Sequence, residues 1–148
     1  MTSSVHISLN VRDLARSVDF YRKFFGEPAR LEPDYAKFVA REPEIHLALE
    51  PRSAAADDKP GTRQEHDHAG ALSHLGIRVS SSGEVARRRA DLLGRGLTIG
   101  GTKREVCCYA PQEKFWVNDP DDNRWEIYTV LEEAGETGPF GCEDCCPR

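Results

Sequence analysis

Two thiols stand side by side at Cys107 and Cys108, in the stretch Lys103-Arg-Glu-Val-Cys-Cys-Tyr-Ala-Pro-Gln112, which has no other cysteine. Neighbouring residues on a trans peptide rarely reach the Cα separation and angle of a disulfide, so this pair is poorly suited to bonding itself. Adjacent thiols instead make a soft, bidentate donor set for a thiophilic metal or metalloid. The plainer alternative is two small residues half buried in a strand, since free cysteine is often simply buried. Three further thiols, Cys142, Cys145 and Cys146, fall within five residues of one another. They carry enough sulfur to satisfy a soft metal or a trivalent metalloid and form a candidate accessory metalloid-binding set, the alternative being an unstructured terminus whose thiols matter little.

The elements that must position such groups follow from periodicity. Val5 to Val11 alternates, with Val5, Ile7, Leu9 and Val11 on one face and His6, Ser8 and Asn10 on the other, the period of a half-buried strand. Asp13 can cap a helix whose apolar residues are Leu14, Val18, Tyr21 and Phe25, and Gly26 with Pro28 ends it. Strand-like runs follow near 29–32, 35–40 and 45–50, with Pro33 and Pro43 at the turns. Residues 51–71 show neither apolar period and are expected to form a connecting loop. The pattern then restarts. Leu75, Ile77 and Val79 alternate with His74, Gly76 and Arg78, Ser81 or Ser82 can cap a helix over 83–93, and strands are expected near 97–100, 105–109, 114–117 and 124–130. His74 therefore matches His6, each followed by an apolar residue, a helix and a glycine, as in an internal repeat. The fold class expected is α+β, two βαβββ repeats over about 5–50 and 72–130 forming a curved mixed sheet around a metal site. A Gly- and acid-rich tail over 132–148 is expected to order only when something binds its cysteines.

On the last strand Arg124, Glu126 and Tyr128 alternate with Trp125, Ile127 and Thr129. His6, His74 and Glu126 are then each a titratable residue on the polar face of a strand whose other face is apolar. Two imidazoles and one carboxylate leave open coordination positions, which suits iron(II) oxygen chemistry and also admits zinc, manganese or nickel. His46 and Glu50, on the corresponding strand of the first repeat, are candidates for a fourth ligand, although exposure explains them as well. His66 and His68 have near-ligand spacing but lie in the loop with no apolar face behind them.

The paired repeat, the segment Asp13-Leu-Ala-Arg-Ser-Val-Asp-Phe-Tyr-Arg-Lys-Phe-Phe-Gly26 and the segment Asn118-Asp-Pro-Asp-Asp-Asn-Arg-Trp-Glu126 resemble the vicinal oxygen chelate (glyoxalase/dioxygenase) superfamily over about residues 5–130. The resemblance implies one domain over 1–131, with metal ligands from the first strand of each half and the last strand of the second, which are His6, His74 and Glu126. The stretch around Cys107 and Cys108 resembles more narrowly the ArsI-type carbon-arsenic lyases and the related cadmium-induced proteins. That branch implies an enzyme with an Fe(II) cofactor that uses dioxygen to cleave the carbon-arsenic bond of trivalent organoarsenicals such as methylarsenite, for detoxification. A monosubstituted trivalent arsenical has two exchangeable positions, which matches Cys107 and Cys108 as substrate ligands. The same resemblance implies that two chains can pair as a homodimer. Two other functions share the fold: non-catalytic arsenic or cadmium binding, and a glyoxalase or thiol transferase using the metal as a Lewis acid.

Bulk properties exclude other classes. A net charge of −5 over 148 residues, without a long Lys/Arg run, argues against nucleic acid as a partner. The start of the chain lacks a basic and apolar leader and nowhere do eighteen apolar residues run together, so a cytoplasmic protein with no membrane partner is expected. Five cysteines, an odd number with two adjacent pairs, fit a reducing compartment better than a disulfide framework.

Overall fold

The computed structural model describes residues 4–52, 72–107 and 110–131, and of residues 105–107 and 110 the backbone alone. Residues 53–71 of the loop expected over 51–71, with His66 and His68, the residue Cys108, and the tail with Cys142, Cys145 and Cys146 all lie outside the described residues. The chain divides into two compact units. One takes its described residues from Met1–Ser73 together with Asn118–Asn123, and the other from His74–Val117 and onward from Arg124.

In the first unit, β1 (Val5–Val11) leads into α1 (Leu14–Phe25), followed by β2 (Arg30–Glu32), β3 (Tyr35–Arg41) and β4 (Glu44–Pro51). Asp13 starts the helix as expected, its carboxylate accepting the Arg16 amide at 3.0 Å. Gly26 ends it at φ 98°, a left-handed conformation that costs other residues strain. The buried face is Ser17, Val18, Phe20, Tyr21 and Phe24. This stripe differs from the expected Leu14–Val18–Tyr21–Phe25 series because the polar Ser17 lies inside it, fully buried, and Phe24 rather than Phe25 faces inward. Tyr21 packs against Phe38 of β3 with ring centroids 6.0 Å apart. The strands form one mixed sheet in the order β1-β4-β3-β2, with β1 parallel to β4 and β3 antiparallel to both neighbours.

The second unit repeats this plan with β5 (Leu75–Arg78), α2 (Ser82–Gly94), β6 (Lys103–Cys107), β7 (Ala110–Asn118) and β8 (Arg124–Val130) in the order β5-β8-β7-β6. Ser81 caps α2, its hydroxyl accepting the Glu84 amide at 3.2 Å. The two-repeat α+β architecture is thus as expected, each repeat building its own four-stranded mixed sheet. The strand expected over 97–100 does not form. The Leu97 amide turns back to the Leu92 carbonyl at 3.1 Å, closing the helix end after Gly96 (φ 83°), and Leu97 becomes a core residue rather than the start of a ladder. The strands expected over 105–109 and 114–117 fall, as far as residue 107 for the first, in the antiparallel pair β6 and β7, in register from Lys103↔Lys114 to Cys107↔Ala110.

The connection from β7 to β8 belongs to the first unit. Asp119, 3% exposed, accepts the Asp121 and Asn123 amides on Oδ1 at 2.9 and 2.8 Å, and the Asn123 side-chain amide on Oδ2 at 2.8 Å. Tyr21 Oη donates to that same Oδ2 at 2.6 Å, and Asp121 accepts the Arg12 amide at 3.1 Å. These bonds satisfy a turn whose amides have no ladder to join.

Candidate metal centre

The second sheet buries Trp125, Ile127 and Thr129 on one face of β8, which leaves Glu126 on the other by the two-residue period. Glu126 is nevertheless only 8% exposed. A buried carboxylate requires partners, because desolvation penalises its charge. Its Oε1 lies 3.9 Å from His74 Nε2 and its Oε2 lies 3.6 Å from Lys114 Nζ, an ammonium that is itself 2% exposed. Trp116, two residues along β7 from Lys114, closes the cluster. Its ring meets the His74 imidazole edge-on at 5.2 Å, Lys114 Nζ stands 5.5 Å from its centre, and the Arg124 guanidinium lies 4.3 Å over it.

His74 stands one residue before β5 rather than within a strand that starts at 72, as expected from the alternation. The parallel ladder explains the shortening, since β5 pairs with β8 only from Leu75↔Trp125 to Arg78↔Tyr128. Gly76 is the register partner of Glu126. A Cβ on Gly76 would lie 3.2 Å from Glu126 Cγ and 3.4 Å from its Oε1, so the carboxylate arm occupies space that another residue type would fill.

His6 belongs to the first unit, exposed on β1 and in register with His46 of β4. Because β1 and β4 repeat β5 and β8, the place matching Gly76↔Glu126 is Ser8↔Ala48. Neither His46 nor Glu50 therefore stands where Glu126 does. His46 Nε2 lies 3.4 Å from Glu44 Oε1, and Glu50 Oε1 accepts from Ser8 Oγ at 3.4 Å. The first repeat offers an imidazole without a matching carboxylate.

The residues fit a divalent ion in their donor chemistry. Ligands bonded at about 2.1 Å stand about 3 Å apart at right angles and about 4.2 Å apart when opposite, so the His74 and Glu126 donors at 3.9 Å lie within the span of one ion. Among the described residues, no three His, Cys, Asp or Glu side chains are gathered into such a site. What the structure brings together is His74 with Glu126, flanked by Lys114. Cys107 ends β6, four residues from Lys103, whose register partner is Lys114. The periodicity that marked Glu126 also marks Lys114, since Gln112, Lys114 and Trp116 alternate with Glu113, Phe115 and Val117. Gly76 had no comparable signal, because its meaning depends on the register.

Residues 3–127 match the Glyoxalase/Bleomycin resistance protein/Dioxygenase superfamily. The chain is 36% identical over 142 residues to a Bacillus sp. (strain MD1) protein named trivalent organoarsenical cleaving enzyme, covering 93% of this chain and 81% of that one. It is 39% identical over 137 residues to the cadmium-induced protein CadI of Mycobacterium bovis, covering 92% and 82%. Among solved structures, a glyoxalase/bleomycin resistance protein/dioxygenase from Alicyclobacillus acidocaldarius superposes with a TM-score of 0.64 at 20% identity, covering 88% of this chain and 92% of its own. One from Nocardioides gives 0.65 at 19% identity, covering 96% and 90%. With a duplicated strand-helix-strand plan, a register that pairs Gly76 with Glu126, and a family match over most of its length, the chain belongs to the glyoxalase/bleomycin resistance protein/dioxygenase superfamily.

Proposed function

We propose that the protein cleaves the carbon-arsenic bond of trivalent organoarsenicals such as methylarsenite, with His6, His74 and Glu126 as ligands of Fe(II) and Cys107 and Cys108 as ligands of the substrate. The observation that carries this reading is the order of the second sheet. The strand that ends at Cys107 pairs with β7, whose Lys114 touches Glu126, so the strand ending at Cys107 and the strand carrying Glu126 belong to one sheet, with His74 one residue before its β5. Similarity to proteins named for organoarsenical cleavage supports it.

The chain's own residues would act as follows. Cys107 and Cys108 exchange for the two labile positions of the arsenical, releasing them as hydroxide or water, and hold arsenic by two sulfurs with its carbon substituent free. Lys114 Nζ, 3.6 Å from Glu126 Oε2, would steady the carboxylate, leaving Oε1, 3.9 Å from His74 Nε2, to join His74 on the ion. Iron(II), when bound, supplies dioxygen activation at positions that two imidazoles and one carboxylate leave open. Fixing both reactants on one scaffold replaces a chance encounter by an oriented one, a large generic source of rate.

The test is anaerobic reconstitution with Fe(II), then methylarsenite and air. Inorganic arsenite is the expected product, and retention of every methyl group on arsenic would sink the lyase reading. The variant Cys107→Ser/Cys108→Ser is expected to lose arsenical binding while still taking up the metal, and Glu126→Gln to show the reverse. Similarity to the cadmium-induced proteins favours a second reading, in which the thiols sequester a soft metal without chemistry. Dioxygen uptake on adding substrate separates the two.

A further inference from the structure

Gly76 occupies the interior of a strand, where glycine weakens the ladder and offers no side chain to pack. Its backbone lies outside the left-handed region, so the chain path does not call for glycine there. The reason lies across the ladder. A Cβ on Gly76 would stand 3.2 Å from Glu126 Cγ, 3.4 Å from Glu126 Oε1 and 3.4 Å from Tyr128 Cε1, tighter than ordinary packing at the first of these.

The repeat supplies an internal comparison. At the matching place of the first unit, Ser8 faces Ala48 across β1 and β4. Where the partner side chain ends at Cβ, the first strand carries a side chain; where the partner is glutamate, it carries none. His6 precedes Ser8, and His74 precedes Gly76, by the same two residues.

We infer that Gly76 is a positioning residue whose missing side chain lets Glu126 lie across β5 toward His74. The inference deepens the proposed function, on which it rests for the role of Glu126 as a metal ligand. Gly76 touches no substrate and acts only through the carboxylate.

Two measurements on the full chain test it. The first is urea denaturation of the wild type, Gly76→Ser, Glu126→Ala and the double variant, which rebuilds the Ser8–Ala48 pair in the second unit. Gly76→Ser is expected to lower the midpoint when Glu126 is present and not when residue 126 is alanine; additive effects would overturn the inference. The second is titration with Co(II), read by its visible absorption, of the wild type, Gly76→Ala and the control Gly101→Ala, where a Cβ meets nothing within 4 Å. At least about tenfold weaker binding is expected for Gly76→Ala and none for the control, in keeping with the usual effect of residues that orient a metal ligand. Unchanged Co(II) affinity in Gly76→Ala also overturns it. Failure of the wild type to bind Co(II) would overturn the metal reading itself, and the denaturation cycle alone would then decide whether Gly76 positions Glu126.

Discussion

Asp119 shows how much a single buried carboxylate can hold. It accepts from the Asp121 and Asn123 amides, the Asn123 side chain and Tyr21 Oη, and has almost no contact with solvent. Asp119→Ala strands these donors, and a loss of about 3 kcal/mol or more is expected in urea denaturation. Tyr21→Phe removes one bond to a charged group and is expected to cost about 1.5–3 kcal/mol, but much less in the Asp119→Ala background, where that bond is already gone. The run Asn-Asp-Pro-Asp-Asp-Asn has the composition of a turn. Its grip on Tyr21, 98 residues away in sequence, was not legible, because turn chemistry is local and the partner is not. The same distinction separates Glu126 from Gly76. Alternation along β8 exposes the first, whereas the second matters only through a strand paired some fifty residues on.

At the level of elements, the helix boundaries were legible because caps are local chemistry: Asp13 and Ser81 each accept an amide three residues ahead. The buried face of α1 was less so, since Ser17 looks polar in sequence yet is enclosed. The first turn of α2 carries a testable electrostatic feature. Hydrogen bonding from Arg87, at 2.9 Å through Nε, with a further contribution from Arg88, lowers the Glu84 carboxyl from its ordinary 4.5 to about 2. A lowered folded pKa means that the unfolded chain takes up the proton first. The stabilisation is therefore complete above pH 4.5 and lost as pH falls through about 2. Carboxyl NMR titration of Arg87→Gln is expected to move the Glu84 midpoint up toward 4.5, and because the side chain is partly open to solvent, added salt should narrow the difference.

For the molecule as a whole, the division into units does not follow the order of the chain. The repeat predicted two consecutive halves, but Asn118–Asn123 is grouped with the first unit although it connects two strands of the second. A fragment ending at Ser73 would lack the acceptors of Tyr21 Oη and the Arg12 amide. It is expected to show a lower and less cooperative thermal transition by circular dichroism than the full chain, and addition of a peptide spanning 118–123 should restore part of it. Repetition was visible in the sequence; that the turn 118–123 belongs to the first unit was not, because it depends on contacts that no period encodes. It also sets an order of events during synthesis. An amino-terminal half that is usually free to finish folding as it leaves the ribosome must here wait for Asp119 to emerge. The first sheet and helix α1 thus become fully clasped only after α2, β6 and β7 of the second unit have been made, with β8 the next to follow.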